Sequence, residues 1–318
     1  MTVLADRRRA RPRPPAAPRR RSATRTRALL REGLLFWALI LPNLAAIVVF
    51  GYYPTLYNLV LSLTDWDFVQ PAPVLVGLDN YVELLRPGSV LADALRNTTV
   101  FVLVTVLGTM VGGLAIGALL AQRLRLSGVV RTLAFAPHML PGAAVGVLWL
   151  FLFDPSYGLS RWLFEMVGAD SPRWTTTSDF SLWAITIAYA WQRLGFVAII
   201  YYAAILDLPR DLYEAAALDG ARGWSLFRHL TIPLLSPITF FLTVTGVIAA
   251  AQTFDIIATL TNGGPGTSST TLPWLVYEQA FVSFDIGTSA ASATVMFVLL
   301  LVVTLVQTRV AHRQVHYS

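Results

Sequence analysis

The sequence predicts an all-α polytopic membrane protein. Three observations carry that class. Of the 318 residues, 55% are apolar and only 13% charged, where a soluble domain carries about 25% charged residues. Apolar runs long enough to cross a bilayer, which takes about 20 residues, recur along the chain. The arginines also crowd onto alternate connecting segments, the signature of a chain threaded repeatedly through a membrane.

The first element is a basic tail. Residues 1–31 hold eleven arginines and several prolines, as in RRRARPRPPAAPRRR. Nothing in it can bury a core, so it reads as disordered. A membrane span follows at once, which favours contact with anionic lipid headgroups over nucleic acid. A cleaved signal peptide does not fit: the apolar run from Leu34 continues past Leu61, whereas such a region usually has about 7–15 residues.

Six spans follow, at about 34–62, 97–121, 129–153, 182–206, 236–260 and 288–309. The first contains Pro42, Gly51 and Pro54 and reads as one long bent helix. With the N-terminus inside, the inside segments carry nineteen arginines and the outside loops three. Both termini then face the cytoplasm. Of the outside loops, 65–95 has room for a small amphipathic element, and 154–181 contains DPSYGL. The loop 261–287 begins TNGGPGTSSTT, and its Asn262, Gly263, Gly264 and Pro265 read either as a flexible gate facing a soluble partner or as a plain turn.

Between the fourth and fifth spans, residues 207–235 form a polar helix-turn-helix on the cytoplasmic side. Asp211 is placed to cap the first helix, and Arg210 and Glu214 stand four apart. Gly220 suits a left-handed stop after Asp219. Ser225 is placed to cap the second helix, and Pro233 to end it. Alanines beside an acid let another protein approach the backbone closely. Anchored to spans at both ends, the segment is suited to being pushed as a lever. A helix lying on lipid is disfavoured by Asp207, Asp211, Glu214 and Asp219, which anionic headgroups repel.

Charges inside spans are costly, about 2.5–3.5 kcal/mol for arginine on insertion scales, and mark function by default. Arg193, with Trp191 and Gln192, falls near the middle of span four; Asp255, with Gln252 and Phe254, falls in span five. Arg193 either pairs with Asp255 and holds spans together, or faces a cavity where its fork can grip a phosphate. Tyr189, Trp191, Tyr201 and Tyr202 read either as packing or interfacial residues or as rings that stack on a sugar. Gly108, Gly112, Gly113 and Gly117 form a small-residue face in span two. Asn97 and Thr98 read as hydrogen-bonding between helices. His138, in a broken segment between Pro137 and Pro141, is assigned no chemistry.

What is missing narrows the function. The chain has no cysteine, hence no disulfide or thiolate metal site, and no lysine among its 24 basic residues. It therefore lacks the lysine of a phosphate-binding loop; if ATP drives this protein, another chain hydrolyses it. No HExxH, GxSxG or paired carboxylates occur in a span, so no catalytic residue and no metal ligand is assigned.

The segment EAAALDGARGWSLFRHLTIP, residues 214–233, resembles the EAA loop of permease subunits of binding-protein-dependent ABC importers. Glu214, Ala215, Ala216, Gly220, Leu230, Ile232 and Pro233 occupy that pattern. The resemblance runs from about residue 34 to the end. ALRNTTVF, LDLPRDLYEAAALDGA and TNGGPGTSSTTLPWLVYEQAF point to the carbohydrate-uptake branch. VLWLFLFDPSYGL, LSPITFFL and VQTRVAHRQVHY look most like the first permease subunit of glycerol-phosphate and glycerophosphodiester importers. The resemblance implies the ABC importer permease fold, a second homologous permease subunit, a cytoplasmic ATPase dimer that uses the ATP and magnesium, and an extracytoplasmic substrate-binding protein. It implies a location in the bacterial cytoplasmic (inner) membrane, no cofactor held by this chain and no nucleic acid partner. It makes Glu214, Ala215, Ala216, Asp219, Gly220 and Arg222 the coupling residues. The competing class is a secondary transporter or channel. One Arg and one Asp within the spans are too few for a proton relay, and no inverted repeat is visible.

Overall fold

The computed structural model describes residues 23–122 and 127–314. Most of the expected basic tail, residues 1–22, lies outside them. The chain divides into two units between Leu56 and Tyr57.

The first unit is helical from its first described residue. Helix α1 (Ala23–Ile47) passes into a π turn (Val48–Tyr52) and then into α2 (Tyr53–Leu61), which carries the chain onward. Residues 23–31 were expected in the disordered tail. They are helical instead, because the tail's last proline is Pro18 and the alanines, leucines and arginines beyond it are good helix formers. Pro42 sits inside α1 without ending it. The irregularity comes at the π turn over Gly51, just before Pro54, a residue with no N–H to give to a regular ladder. The Thr55 hydroxyl donates to the Gly51 carbonyl at 2.8 Å.

The second unit begins with a small cap. Strands β1 (Thr64–Asp65) and β2 (Val74–Leu75) pair antiparallel ahead of the short helix α3 (Asp79–Leu84). Asn80 donates to the carbonyls of Ser62 and Thr64 at 3.0 and 2.9 Å, and Tyr81 donates to the Ser62 hydroxyl at 2.8 Å. In the turn between the strands, Asp67 accepts the backbone N–H groups of Gln70 and Val69 at 2.9 and 3.0 Å. Those bonds, Gln70 foremost, hold its carboxyl below the usual range.

The bundle follows: α4 (Val90–Ala121), α5 (Ser127–Phe135), α6 (Gly142–Leu152), α7 (Leu159–Met166), α8 (Ser178–Asp207), the hairpin helices α9 (Arg210–Leu218), α10 (Trp224–Leu226) and α11 (Ile232–Leu234), then α12 (Ser236–Ala251), α13 (Asp255–Leu260), α14 (Leu272–Tyr277) and α15 (Ile286–Gln314). Four uninterrupted stretches are long and apolar enough to cross a membrane: Phe36–Leu61, Val90–Ala121, Ser178–Asp207 and Ile286–Val310. Two further spans are bent pairs, Gly128–Met139 with Gly142–Leu152 at 103°, and Trp224–Leu234 with Ser236–Ala251 at 63°. The total reaches six when each bent pair counts once. Helices α4 and α8 start earlier than the hydropathy places them, at Val90 and Ser178, because their first turns carry polar residues (Asp93, Arg96, Asp179) that hydropathy assigns to loops. The fifth span does not run unbroken to residue 260: its helix stops at Ala251 and restarts at Asp255.

The core is organised by α8 lying along α4. Three glycines set the separation. A methyl group on Gly112 would come within 2.9 Å of Leu194, one on Gly113 within 2.6 Å of Val197, and one on Gly117 within 2.8 Å of the Ala198 carbonyl. Gly108 has no such neighbour within 4 Å, so only part of the glycine face makes the contact. Small residues permit this approach where no hydrophobic force separates helix from lipid, and dispersion over the close surface holds it. Around it pack Phe101, Ile185, Tyr201, Leu242 and Ile257, each at most 1% exposed. At the other side of α8, Gly195 lets the Ala134 carbonyl of α5 approach. A smaller cluster of Leu84, Leu91, Leu272, Leu275 and Ala291 joins α3, the start of α4, α14 and α15 near the connecting loops.

Gly113→Val overpacks this contact. It is expected to cost about 1–3 kcal/mol and to lower the thermal unfolding midpoint of the purified protein. Gly108→Ala, which meets nothing, is expected to leave the midpoint unchanged.

Candidate functional site

Two spans break side by side. In the third, a 3₁₀ turn (Ala136–Met139) follows α5, Leu140 turns extended (ψ 139°), and Pro141 leads into α6. Proline cannot donate to the ladder and pushes the residue before it out of the helical region. In the fifth span, the break covers Gln252 to Phe254 between α12 and α13. The two meet through α6 and α13: a methyl on Gly142 would come within 2.9 Å of the Asp255 Cβ, and Gly146 faces Thr259. Hydrocarbon offers no water to a freed backbone group, so side chains take over. Gln192 of α8 donates to the Leu140 carbonyl at 2.8 Å, and the Thr253 hydroxyl donates to the Ala249 carbonyl at 3.0 Å.

A cavity of about 310 Å³ opens where the breaks face α8. From α8 it is lined by Tyr189, Gln192 and Arg193; from the fifth span by Gln252, Thr253, Phe254 and Asp255; and from the third by His138 and Gly142. Of the six residues expected on a path, five line it. Trp191, the sixth, does not; it packs against Trp149 with ring centroids 5.8 Å apart. It is adjacent to Gln192 in sequence, and the helical turn of about 100° per residue sends it to another face.

The choice between an Arg193–Asp255 pair and a free guanidinium is decided by distance. The ion pairs among the described residues are Arg86–Glu83 and Arg161–Glu165. Arg193 instead lies beside the rings of Tyr189 and Phe196, its guanidinium carbon 5.9 and 5.5 Å from their centroids. Aromatic faces attract a cation without neutralising it. The cavity thus presents a guanidinium without a carboxylate partner among the described residues, a carboxylate, two amides and the hydroxyls of Tyr189 and Thr253 midway along a membrane-spanning helix. Such a set can hold a polar, hydrogen-bonding solute. His138 was assigned no role by sequence, and Tyr189 lines the cavity where either packing or stacking on a sugar was open to it. The bracketing prolines were the available signal for His138, whose ring lies 4.6 Å from that of Phe196. Tyr201 and Tyr202 serve packing: Tyr201 donates to Thr239 at 3.0 Å and Tyr202 accepts from Arg131 at 2.7 Å. No group of three or more metal-ligating side chains occurs among the described residues.

The polar hairpin departs from the expected capping. Pro209, not Asp211, precedes α9, and Asp211 stands in its first turn, where its charge suits the helix dipole. Arg210 and Glu214 form no ion pair among the described residues. Gly223, not Ser225, stands at the start of α10. Pro233 does not end the second helix. A π turn (Phe227–Thr231) precedes it, α11 continues through it, and the bend comes at Leu235. Gly220 is left-handed as expected, at φ +81°, a conformation that costs glycine little. It follows Asp219 at the end of α9, and the Ala221 N–H donates back to the Ala216 carbonyl at 2.9 Å. Tyr213 and Thr231 share a hydrogen bond of 2.9 Å, which ties the two arms together. Glu214, Ala215 and Ala216 lie on α9, and Arg222 lies in the turn after it. Leu218 and Trp224 are 91% and 69% exposed at the tip.

The turn 261–271 is pinned rather than loose. Asn97 donates to the carbonyls of Thr267 and Thr270 at 2.8 and 3.0 Å, and the Thr98 hydroxyl accepts the Leu272 N–H at 2.9 Å. Within the turn, the Gly263 carbonyl accepts from Thr270 at 3.0 Å and the Gly264 carbonyl from Ser269 at 2.8 Å. Asn262 donates its N–H to the Ile257 carbonyl at 2.9 Å. Of the two readings left open, flexible gate or plain turn, the fastening by threonines and serines fits the turn.

Residues 113–316 match the family described as binding-protein-dependent transport system inner membrane component. A probable ABC transporter permease protein of Pyrococcus horikoshii is 34% identical over 84% of this chain and 91% of its own length. The sn-glycerol-3-phosphate transport system permease protein UgpA of an Escherichia coli strain is 34% identical over 92% of this chain and 99% of its own. Among solved structures, a bacterial ABC transporter involved in the import of alginate shares the fold with a TM-score of 0.78 at 22% identity, covering 92% of this chain and 100% of that one.

Gln192→Leu removes the donor to the Leu140 carbonyl at the break. Losing that bond leaves a half-buried carbonyl at the break without its side-chain partner, so the unfolding midpoint of the purified protein is expected to fall. An unchanged midpoint would show that the break needs no side-chain support.

Proposed function

The chain belongs to the family of inner membrane components of binding-protein-dependent transport systems, and from that premise we propose that its mid-membrane cavity passes a sugar or glycerol-phosphate-type solute. The observation that carries this reading is Arg193. A guanidinium within a span, without a carboxylate partner among the described residues, is held at a polar cavity between two broken helices. Hydrocarbon penalises such a group, and it gains on meeting an anion. Its planar fork matches a phosphate with two parallel hydrogen bonds. Asp255 can only accept hydrogen bonds when ionised, which suits the hydroxyls of a polyol, and the amides of Gln192 and Gln252 serve either kind of group. The kinship to permeases of sn-glycerol-3-phosphate supports the same solute class.

The hairpin is the coupling element. Its arms are tied by Tyr213 and Thr231 and its tip presents Leu218 and Trp224, so it moves as one piece when a partner grips Glu214 to Ala216. The partner is a cytoplasmic ATPase dimer, which hydrolyses ATP with magnesium. This chain carries no lysine for a phosphate-binding loop. A second homologous permease subunit completes the pathway, and a substrate-binding protein delivers solute to the opposite face. Nineteen arginines on the hairpin side against three on the other support a cytoplasmic hairpin and cytoplasmic termini.

Transport by the four-component assembly in proteoliposomes tests the reading. Arg193→Ala is expected to lower glycerol 3-phosphate uptake by about 10–100-fold, the equivalent of a charge-assisted hydrogen bond, while binding-protein-stimulated ATP hydrolysis persists. Gly220→Pro, which breaks the hairpin stop, is expected to abolish both. Normal uptake by Arg193→Ala would overturn the assignment of the cavity.

A further inference from the structure

A second cavity, of about 600 Å³, lies at the end of the bundle opposite the hairpin. Its walls are the first turns of α4 and α8, with Arg96, Asp93 and Asp179, the ring of Trp183, and the pinned turn at Pro265 to Ser268. The enclosure is held by hydrogen bonds from three elements. The Thr267 hydroxyl donates to Asp93 at 2.7 Å, Asn97 to the Thr267 carbonyl at 2.8 Å, and Ser268 shares a bond of 2.8 Å with Ser181. Arg96 and Asp179 form no ion pair among the described residues.

This cavity repeats the chemistry of the first one: a guanidinium, carboxylates and an aromatic face. It also shares a wall with it. Ser178 and Leu182 stand eleven residues before Tyr189 and Arg193 on α8, which is three helical turns, about 16 Å, on the same face. Between them lies packed core. Ile185 is fully buried on that face, in one apolar cluster with Phe101 and Leu260.

We propose that the second cavity is a holding site for the transported solute on the outer side of a closed gate, with the packing around Ile185 as the gate. Polyhydroxylated compounds fit it. Asp179 accepts from their hydroxyls, and Arg96 donates to a hydroxyl or phosphate oxygen. The Trp183 ring covers the C–H face of a sugar. The inference rests on the transport reading above and adds a second solute site to it.

The natural absence of cysteine makes the test direct. Ser178→Cys, at an exposed lining position, is assembled with its partner subunits, their own cysteines replaced, in lipid nanodiscs without nucleotide or binding protein. The labelling rate by a membrane-impermeant maleimide is then read with maltose, trehalose or glycerol 3-phosphate added to tens of millimolar. At least one of these is expected to slow labelling fivefold or more, saturably. Trp183→Ala with Asp179→Asn is expected to remove that protection, and Ser156→Cys, on the exposed loop before α7, to show none. An unchanged elution volume and thermal unfolding midpoint of the unlabelled Ser178→Cys assembly establish that the variant is folded. No protection by any of the three overturns the proposal, and so does protection seen only in a parallel reaction to which ligand-free binding protein is added; the second result marks a docking face instead. Protection is read without turnover, so it stands or falls separately from the Arg193→Ala uptake result.

Discussion

Hydrocarbon gives a broken helix nothing to hydrogen-bond with, yet this chain breaks two neighbouring spans at the same place. Everything near the cavity follows from how α8 resolves that conflict. Gln192 reaches across to the Leu140 carbonyl, and one residue later the same helix turns Arg193 toward the space the breaks leave open. Support and solute chemistry are thereby carried on adjacent residues of one rigid element. The position of α8 is in turn fixed by the glycines of α4, which bring Val197 and Ala198 against the α4 backbone. A wider separation would lengthen the reach of Gln192 and open the wall of the cavity.

The same helix links the cavity to the hairpin. α8 runs without interruption from Ser178 to Asp207, and α9 starts at Arg210. α9 is joined to α8 through a connection of two residues, Leu208 and Pro209. At the far end of the hairpin the chain bends by 63° into α12, which leads directly to the break at Gln252. Both ends of the hairpin are thus joined by covalent chain to walls of the cavity. On the proposed coupling role, a two-armed segment in that position would move the walls together.

Much of this was legible in the sequence, for identifiable reasons. Six membrane passages follow from hydropathy, because burial in lipid requires about 20 apolar residues whatever the packing. Gly220 was legible because a left-handed stop has few solutions. Arg193, Asp255, Gln192 and Gln252 stood out because polar groups are rare in apolar runs. Trp191 was misplaced because proximity in sequence does not give a helical face. The caps failed at Asp211 and Ser225 because a side chain that can cap a helix need not be the one at its boundary; Pro209 and Gly223 fixed those boundaries. The Arg193–Asp255 choice was beyond reach, since it turns on a separation between elements far apart in the chain. The pinning of the turn after Thr261 was hidden for the same reason: its anchors, Asn97 and Thr98, are about 170 residues away.

The account places the solute between Arg193 and the break in the fifth span. Cryo-electron microscopy of the assembled transporter, trapped with glycerol 3-phosphate by an ATPase-inactivating substitution in the partner subunits, tests that placement most directly. The account predicts phosphate density within about 3 Å of the Arg193 guanidinium, a charge-assisted hydrogen-bond distance, with the glycerol hydroxyls toward Gln252 and Asp255. Solute density in the membrane that is bounded by other residues, with Arg193 turned into an ion pair, would contradict it.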